Sequence, residues 1–138
     1  MRLGRIGFDH VVGYLSGGAE ALRTKPELIR SIERMTATQL AALLATPPPP
    51  LVLDIRPPGE RSDKYIEGSV HLPPNRLKRQ LDDVPHDRHV ILQCAGGYRS
   101  AIAASMLANH GRTDIADLVG GLAAWEEAGL EVVAPAAV

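Results

Sequence analysis

Short apolar runs, each the length of a buried strand, alternate along this chain with segments that have helical patterns. The runs lie at 51–55, 70–72, 89–93 and 115–119, and the helical segments lie at 36–45, 76–82 and 99–109, with a last one ending near Gly129. Strands that alternate with helices are typical of a parallel sheet covered by helices on both faces. The sequence therefore predicts an α/β fold with three layers, in which ligands bind beyond the carboxyl ends of the strands.

Local signals place the ends of several elements. Thr36 and Gln39 have the spacing of a capping box at the start of the first of these helices. A further short helix, opened by a proline, is predicted over 26–34. Asn75 is predicted to cap the helix that follows it, and the two prolines and one glycine at 57–59 predict a loop.

The composition bounds the number of domains and the kinds of partner. A chain of 138 residues is long enough for one domain with a proper core and too short for two of ordinary size. Its 15 basic and 16 acidic residues nearly cancel, which argues against nucleic acid or an anionic membrane as a partner. No run of residues is apolar enough to span a bilayer, and residues 1–10 lack the apolar core of a signal peptide. We therefore expect a cytoplasmic protein.

The single cysteine lies in a loop between a predicted strand and a predicted helix, Gln93-Cys94-Ala95-Gly96-Gly97-Tyr98-Arg99-Ser100. Being alone, it excludes a disulfide within the chain and a thiolate-rich metal site. The two glycines allow successive N–H groups to point inward. Those groups, the helix N-terminus and Arg99 make a positive environment that favours the thiolate. We expect Cys94 to be a nucleophile, and a buried, inert thiol is the alternative.

Three sets of residues, in the same order along the chain, resemble motifs of the rhodanese family of sulfurtransferases. Cys-x-x-Gly-x-Arg-Ser at 94–100 resembles the active-site loop of that family. Leu53-Asp54-Ile55-Arg56 with Glu60, followed by Tyr-Ile-Glu-Gly-Ser-Val-His-Leu-Pro at 65–73, is similar to its Asp-x-Arg and His-Ile-x-Gly-Ala segments. Gly-Gly-Leu-Ala-Ala-Trp at 120–125 resembles its closing signature. The resemblance covers about residues 36–134 and implies a rhodanese-like fold.

The resemblance implies sulfur transfer through Cys94 without a metal or an organic cofactor. The thiolate would attack the outer sulfur of a small donor such as thiosulfate and form a persulfide. A thiol, cyanide or a partner protein would then collect that sulfur. In this scheme the loop holds an anionic sulfur as an oxyanion hole holds an oxyanion, so the thiol must be reachable and the N–H groups must point inward. The substrate-binding residues implied are Ala95, Gly96, Gly97, Tyr98, Arg99 and Ser100.

Three side chains of the loop have more than one candidate role. Arg99 either steers an anionic donor and holds the thiolate, or closes the loop by hydrogen bonding to carbonyl groups. Ser100 can bind the sulfur or cap the helix, and capping is expected. Tyr98 is expected at the rim, where it would shape the approach of the acceptor.

A second set of residues, Asp54, Arg56 and Glu60, is expected around the loop. Asp54 lies at a strand end, where it is suited to accept hydrogen bonds from loop amides. Arg56 and Glu60 are four residues apart, and we expect a structural ion pair rather than a catalytic dyad. Departures from the family's pattern are expected to change local packing rather than chemistry, and they are Tyr65 for the usual His, Ser69 for Ala, and Arg61 where an aromatic often sits.

Other functions are weighed against this one. Cys94 and Arg99 enclose four residues, whereas the fold-related dual-specificity phosphatases have five, and the smaller ring suits one sulfur better than a phosphoryl group. His86 and His89 lack a third ligand nearby, so we do not expect a metal site there.

The alternative to an enzyme is a noncatalytic interaction or regulatory module of a larger persulfide-metabolising protein. The single arginine of the loop, which would bind free thiosulfate poorly, favours that alternative.

The N-terminal part of the chain repeats a piece of the closing signature. Gly17-Gly18 precedes Gly120-Gly121 by about the length of one such domain. We therefore expect residues 1–35 to be the tail of an upstream rhodanese repeat and residues 36–138 to be the rhodanese-like domain. The sequence of residues 7–15 resembles that found in bacterial fusions of a metallo-β-lactamase-fold persulfide dioxygenase to rhodanese domains. Such a dioxygenase domain is therefore an expected partner. The alternative is a fortuitous amphipathic extension.

Overall fold

The computed structural model describes residues 10–135, and five strands within them form one parallel sheet. The strands are β1 (Glu33–Met35), β2 (Leu51–Asp54), β3 (Val70–His71), β4 (Val90–Gln93) and β5 (Ile115–Leu118). Their order in the sheet is β1-β5-β4-β2-β3, and every pairing is parallel. The carboxyl ends of β2, β4 and β5, the three central strands, therefore meet at one edge of the sheet.

Helices cover both faces of this sheet, which confirms the predicted three-layer α/β fold. They are α1 (Ala37–Leu44), α2 (Pro58–Asp63), α3 (Pro74–Leu77), α4 (Tyr98–Asn109) and α5 (Gly121–Glu127). Buried residues of α1 and α5 share a core with one face, and those of α3 and α4 share a core with the other. The helix α2 follows β2 directly and lies near the carboxyl edge of the sheet.

The strand side chains alternate between these two cores. Leu92 of β4 shares one core with Leu107 of α4, whereas Ile91 shares the other with Leu40 of α1 and Trp125 of α5. In each of the strands β2, β4 and β5, all four residues are buried. Because both faces of the sheet are covered, the strands appear in the sequence as continuous apolar runs rather than as alternating patterns.

The helix ends predicted from caps at Thr36 and Gly129 are confirmed. The Thr36 hydroxyl accepts a hydrogen bond from the Gln39 N–H, and the Thr36 N–H donates to the Gln39 side chain at 2.9 Å, which together make the capping box of α1. Gly129 has a φ of +74° just beyond α5, the left-handed conformation that commonly ends a helix.

The predicted helix over 26–34 is wrong beyond its first turn. Only Pro26–Leu28 is helical, as a 3₁₀ turn, and the chain then extends into β1. Arg34 lies opposite Asp117 of β5 in the parallel ladder, and Met35 is 3% exposed. Pairing with the sheet and burial of Met35 thus override the local helical signal.

Two predictions around the prolines are also wrong. Residues 57–59 are not simply a loop, because α2 begins at Pro58, whose ring presets a helical φ at a position that needs no N–H donor. The helix α3 begins at Pro74 for the same reason, so Asn75 lies inside its first turn and makes no side-chain cap. In both segments the proline marks the start of the helix.

Residues 10–31 contribute no side chain to either core. Within them, Gly17 and Gly18 have φ values of +84° and +60°, close to the +74° and +58° of Gly120 and Gly121. A helical turn follows each glycine pair. The assignment of residues 1–35 to an upstream repeat remains a prediction, and residues 1–9, on which it partly depends, lie outside the described residues. Across the residues described, no helix is both long and apolar enough to cross a membrane.

Candidate active site

Cys94 lies immediately after β4, where the chain turns through a short loop into α4. Its side chain belongs to the core on the α4 face and the residue is 1% exposed. Around it, Gly96 is exposed while Ala95 and Gly97 are half-buried. The sulfur therefore lies beneath its own loop, and in this conformation the requirement that it be reachable is not met.

Two backbone N–H groups of the loop point at the sulfur. The Gly97 N–H donates to Cys94 Sγ at 3.1 Å, and the Ser100 N–H donates to the same atom at 3.4 Å. Gly97 has a φ of +93°, which turns its N–H inward and which a residue with a side chain adopts only with strain. The second requirement, inward N–H groups at the start of a helix, is met in this geometry.

The turn at Gly120-Gly121 and the start of α5 hold the backbone of the Cys94 loop through hydrogen bonds. This role was not predicted from the sequence. The Leu122 N–H donates to the Cys94 carbonyl at 2.7 Å, and the Ala123 N–H donates to the Ala95 carbonyl at 3.0 Å. A Cβ on Gly121 would overlap the Cys94 carbonyl oxygen. Only a glycine at position 121 lets the two backbones approach this closely.

Arg99 is paired with Glu60, which corrects the expected pairing of Glu60 with Arg56. The two nitrogens Nη1 and Nη2 of Arg99 donate to the two carboxylate oxygens of Glu60, each at 2.8 Å. Hydrogen bonding from Arg99 lowers the pKa of Glu60. Arg99 also interacts with Cys94. Within residues 10–135 its guanidinium donates to Glu60 and to no carbonyl group, so it does not close the loop in that way. The ion pair instead ties the start of α4 to α2.

Arg56 pairs with Asp54 instead, and both side chains are buried. Asp54 accepts from the Arg56 N–H at 3.0 Å, as predicted for a carboxylate that caps a loop amide, and from Arg56 Nη2 at 2.6 Å. Burial raises the pKa of Asp54, but the hydrogen bonds from Arg56 outweigh it and the net pKa is lowered. Arg56 also donates to the carbonyls of Glu60 and Lys64, so this pair holds α2 in place.

Of the three departures from the family's pattern, Arg61 contacts both of the others. Arg61 lies over the Tyr65 ring, 4.4 Å from its centroid, and donates to the Ser69 hydroxyl at 2.8 Å and to the Ser69 carbonyl at 2.7 Å. Arg61 also donates to Asp54 at 3.0 Å. The departures thus form one local cluster, and they reach the carboxylate that orients Arg56.

Ser100 does not cap α4, which corrects the expected role of this residue. It lies at the third position of the helix, and its hydroxyl donates to Asp117 Oδ1 at 2.5 Å. The Cys94 thiol in turn lies 3.5 Å from Ser100 Oγ, to which it donates. Asp117 was not predicted as a site residue, although an acidic residue in the middle of an apolar strand run is a signal that could have identified it.

The remaining predicted residue, Tyr98, is 53% exposed at the start of α4, in line with a place at the rim. Beside the loop, a shallow cavity of about 280 Å³ is lined by Ala95, Arg56 and Glu60 on one side and by residues of α5 on the other. Between residues 10 and 135, no group of three or more His, Cys, Asp or Glu side chains is placed to hold a metal ion.

Comparison with known proteins gives consistent matches. A family model described as a rhodanese-like domain matches residues 36–128. A sulfurtransferase from Allochromatium vinosum is 32% identical over 104 residues, which cover 75% of this chain and 97% of that protein. Thiosulfate sulfurtransferase GlpE from Stutzerimonas stutzeri is 32% identical over 75 residues, 54% of this chain and 69% of that one. The crystal structure of a rhodanese-related protein from Thermoplasma volcanium matches with a TM-score of 0.69 at 30% identity, and covers 75% of this chain and 99% of its own.

Proposed function

The chain belongs to the rhodanese-like domain family, and from that membership we propose that it transfers sulfane sulfur through a persulfide on Cys94. Relatives named as sulfurtransferases support the reaction class. The observation that carries the proposal is the convergence of the Gly97 and Ser100 N–H groups on Cys94 Sγ at the N-terminus of α4. Donors fixed in this way favour an anionic sulfur over a neutral thiol.

The proposed reaction begins with attack of the Cys94 thiolate on the outer sulfur of a donor such as thiosulfate. A new S–S bond forms to Cys94, the S–S bond of thiosulfate breaks, and its electron pair leaves with sulfite. The product is a Cys94 persulfide whose terminal sulfur is anionic. A thiophilic acceptor, either a thiol or cyanide, then attacks that terminal sulfur and regenerates the Cys94 thiolate. The transferred sulfur keeps the oxidation level of sulfane sulfur at each step, so no external oxidant or reductant is needed.

Burial of the sulfur restricts the access of a donor to it. Because Cys94 is 1% exposed, a donor reaches it only when the residues above it move. Gly96 is the residue suited to that movement, since it is exposed and a Cβ placed on it would meet nothing within 4 Å. Opening of the loop at Gly96 would expose the sulfur while the Ser100 N–H, within α4, stays in place.

Mass spectrometry of the intact protein tests the proposal directly. After incubation with thiosulfate, glutathione persulfide or mercaptopyruvate, we expect a gain of one sulfur atom that is absent in Cys94→Ser. Subsequent cyanide should remove the added sulfur and yield thiocyanate. Ser105→Ala, an exposed hydroxyl further along α4, is the matched control and should load like the wild type. Absence of an adduct with all three donors would contradict the proposal.

A noncatalytic interaction or regulatory module is the second candidate, and two observations favour it. The thiol is buried, and the guanidinium of Arg99 is already occupied by Glu60, which leaves less positive charge for an anionic donor. If this candidate is correct, the protein binds a persulfide dioxygenase domain stably and does not produce thiocyanate from cyanide with any donor. Turnover of sulfur without such binding would exclude it.

A further inference from the structure

A buried chain of hydrogen bonds leads away from the reactive sulfur to a carboxylate on the neighbouring strand. The Cys94 thiol donates to Ser100 Oγ at 3.5 Å, and the Ser100 hydroxyl donates to Asp117 Oδ1 at 2.5 Å. Cys94, Ser100 and Asp117 are 1%, 0% and 2% exposed. Each group donates to the next, so the chain has the direction along which a proton would leave the thiol.

The other carboxylate oxygen of Asp117 has few favourable interactions to offset the cost of its burial. Oδ2 is buried and accepts no hydrogen bond from the part of the chain that the structure describes. Arg34 of β1, whose side chain is largely exposed, brings its Nε to 3.8 Å from this atom and is the one cation among residues 10–135 that acts on Asp117. From α4 the facing group is Ser100, which is uncharged, whereas Arg99 of that helix is paired with Glu60 of α2 and acts on Cys94. Burial therefore raises the pKa of Asp117, and the Ser100 hydrogen bond and Arg34 only partly oppose it.

Two negative charges separated by a single hydroxyl are unfavourable at a buried site. If Cys94 ionised while Asp117 was already ionised, the thiolate and the carboxylate would face each other across Ser100. With Asp117 ionised, the Ser100 hydrogen points to the carboxylate, and the serine presents an oxygen lone pair to the sulfur. That arrangement favours the neutral thiol.

We infer that Asp117 is a positioning residue that takes up the proton of the Cys94 thiol through the Ser100 hydroxyl when the sulfur becomes anionic. The thiol hydrogen passes to Ser100 Oγ while the serine hydrogen passes to Asp117 Oδ1, so the serine is neutral before and after. The carboxylic acid then donates to Ser100 Oγ, and the serine donates to the sulfur. The reversed chain gives the thiolate a third donor beside the Gly97 and Ser100 N–H groups.

Sulfur loading then needs no proton release from the site, a consequence that rests on the proposed function. The resting pair is a thiol with a carboxylate, and the loaded pair is an anionic persulfide with a carboxylic acid. Loading from thiosulfate converts the first pair to the second and releases sulfite. The proton that leaves Cys94 is the proton that Asp117 carries, so atoms and charge balance within the protein and its donor.

The main test is the thiolate titration of Cys94, which does not depend on sulfur transfer or on access to the sulfur. Thiolate is measured by ultraviolet absorbance against pH, as the difference between each protein and its own Cys94→Ser form. In Asp117→Asn the buried negative charge is gone, so we expect the midpoint of the titration to fall. A purely structural role predicts the opposite, because a looser loop loses N–H donors and raises the midpoint. A midpoint that is unchanged or higher in Asp117→Asn overturns the inference.

Proton counting on the wild-type protein is the second measurement and covers the case in which Asp117→Asn does not fold. Thiosulfate is added in weak buffer with an indicator dye, and the protonation of sulfite is measured separately and subtracted. We expect close to zero protons released per sulfur loaded, and release of about one proton would overturn the inference. The mass of the protein records whether sulfur was loaded at all, so failure of the proposed function is seen separately as a missing adduct.

Discussion

At the scale of single residues, the closeness of two backbones at Gly121 yields the sharpest prediction. Gly121 has a φ of +58°, and a Cβ there would overlap the Cys94 carbonyl and lie 2.9 Å from the Ala95 backbone. Gly121→Ala is expected to destabilise the protein by more than the roughly 1–2 kcal/mol that a left-handed conformation alone costs. It should also change the rate at which Cys94 reacts with iodoacetamide, because the loop must shift. Urea unfolding and alkylation kinetics measure the two effects.

Gly129→Ala is the matched control for this prediction. Gly129 also has a positive φ, +74°, but a Cβ placed on it meets nothing within 4 Å. It should therefore show about 1–2 kcal/mol of destabilisation and no change in alkylation rate. Equal effects of the two substitutions on stability and on Cys94 would contradict the proposed contact between the glycine turn and the loop.

The sequence predicts the reactive residue more fully than it predicts the residue's partners. The place of Cys94 between a strand and a helix follows from patterns within about 20 residues, and those patterns are local. Ser100 was misassigned as a cap because its true partner, Asp117, is brought to it only by the pairing of β4 with β5. Glu60 was misassigned for a related reason, since its partner Arg99 follows it by 39 residues.

At the scale of secondary-structure elements, the ion pair between Glu60 and Arg99 links α2 to α4. Neutralising Glu60 leaves the charge of Arg99 uncompensated beside the loop, so Glu60→Gln is expected to load sulfur from thiosulfate a few-fold faster at low ionic strength. The effect on stability should be at most about 1 kcal/mol, because Glu60 is 40% exposed. Initial rates at donor concentrations below saturation, with and without added salt, measure the change.

Glu67→Gln removes an equivalent charge from an exposed position that does not contact Arg99, and it should leave the loading rate unchanged. A rate in Glu60→Gln that is equal to or below that of the wild type would show that the pair serves to position Arg99 rather than to mask its charge.

Elements with strong local signals were predicted, and elements that depend on distant pairing were not. The capping box at Thr36 and the apolar runs of β2, β4 and β5 carry their own patterns. The first two residues of β1 were predicted as the end of a helix because this segment becomes a strand only by pairing with β5 at the other end of the chain. The helix α2 was missed because its prolines resemble those of a loop until one of them is recognised as a first helical residue.

At the scale of the whole molecule, the buried Asp54 and Arg56 pair links folding to pH. The hydrogen bonds from Arg56 outweigh burial and keep the pKa of Asp54 below its ordinary value. The unfolded chain therefore binds a proton at a higher pH than the folded chain does. The stability that this pair contributes is present above about pH 4 and is lost as the pH falls through the lower, folded pKa. Glu60, whose pKa is lowered by Arg99, acts in the same direction.

Asp54→Asn tests this linkage. It leaves a buried guanidinium without its counter-charge, and it should lower the free energy of unfolding by about 3–5 kcal/mol at pH 7. The difference from the wild type should shrink as the pH falls below 4, where the wild type loses the same charge. Urea denaturation at several pH values measures both the loss of stability at pH 7 and its decrease at low pH. Asp87→Asn, at an exposed position, is the control. A difference that stays constant down to pH 2 would contradict the assignment.

The support of the loop by Gly120-Gly121 and α5 also bears on the order in which the protein can mature during synthesis. The groups that hold the Cys94 loop, the Leu122 and Ala123 N–H groups and the Asp117 carboxylate behind Ser100, all lie downstream of the cysteine. When Cys94 has just emerged from the ribosome, these downstream groups have not yet emerged. The thiol thus acquires its surroundings only when nearly the whole domain has been translated, and until then it has the reactivity of an ordinary unprotected cysteine.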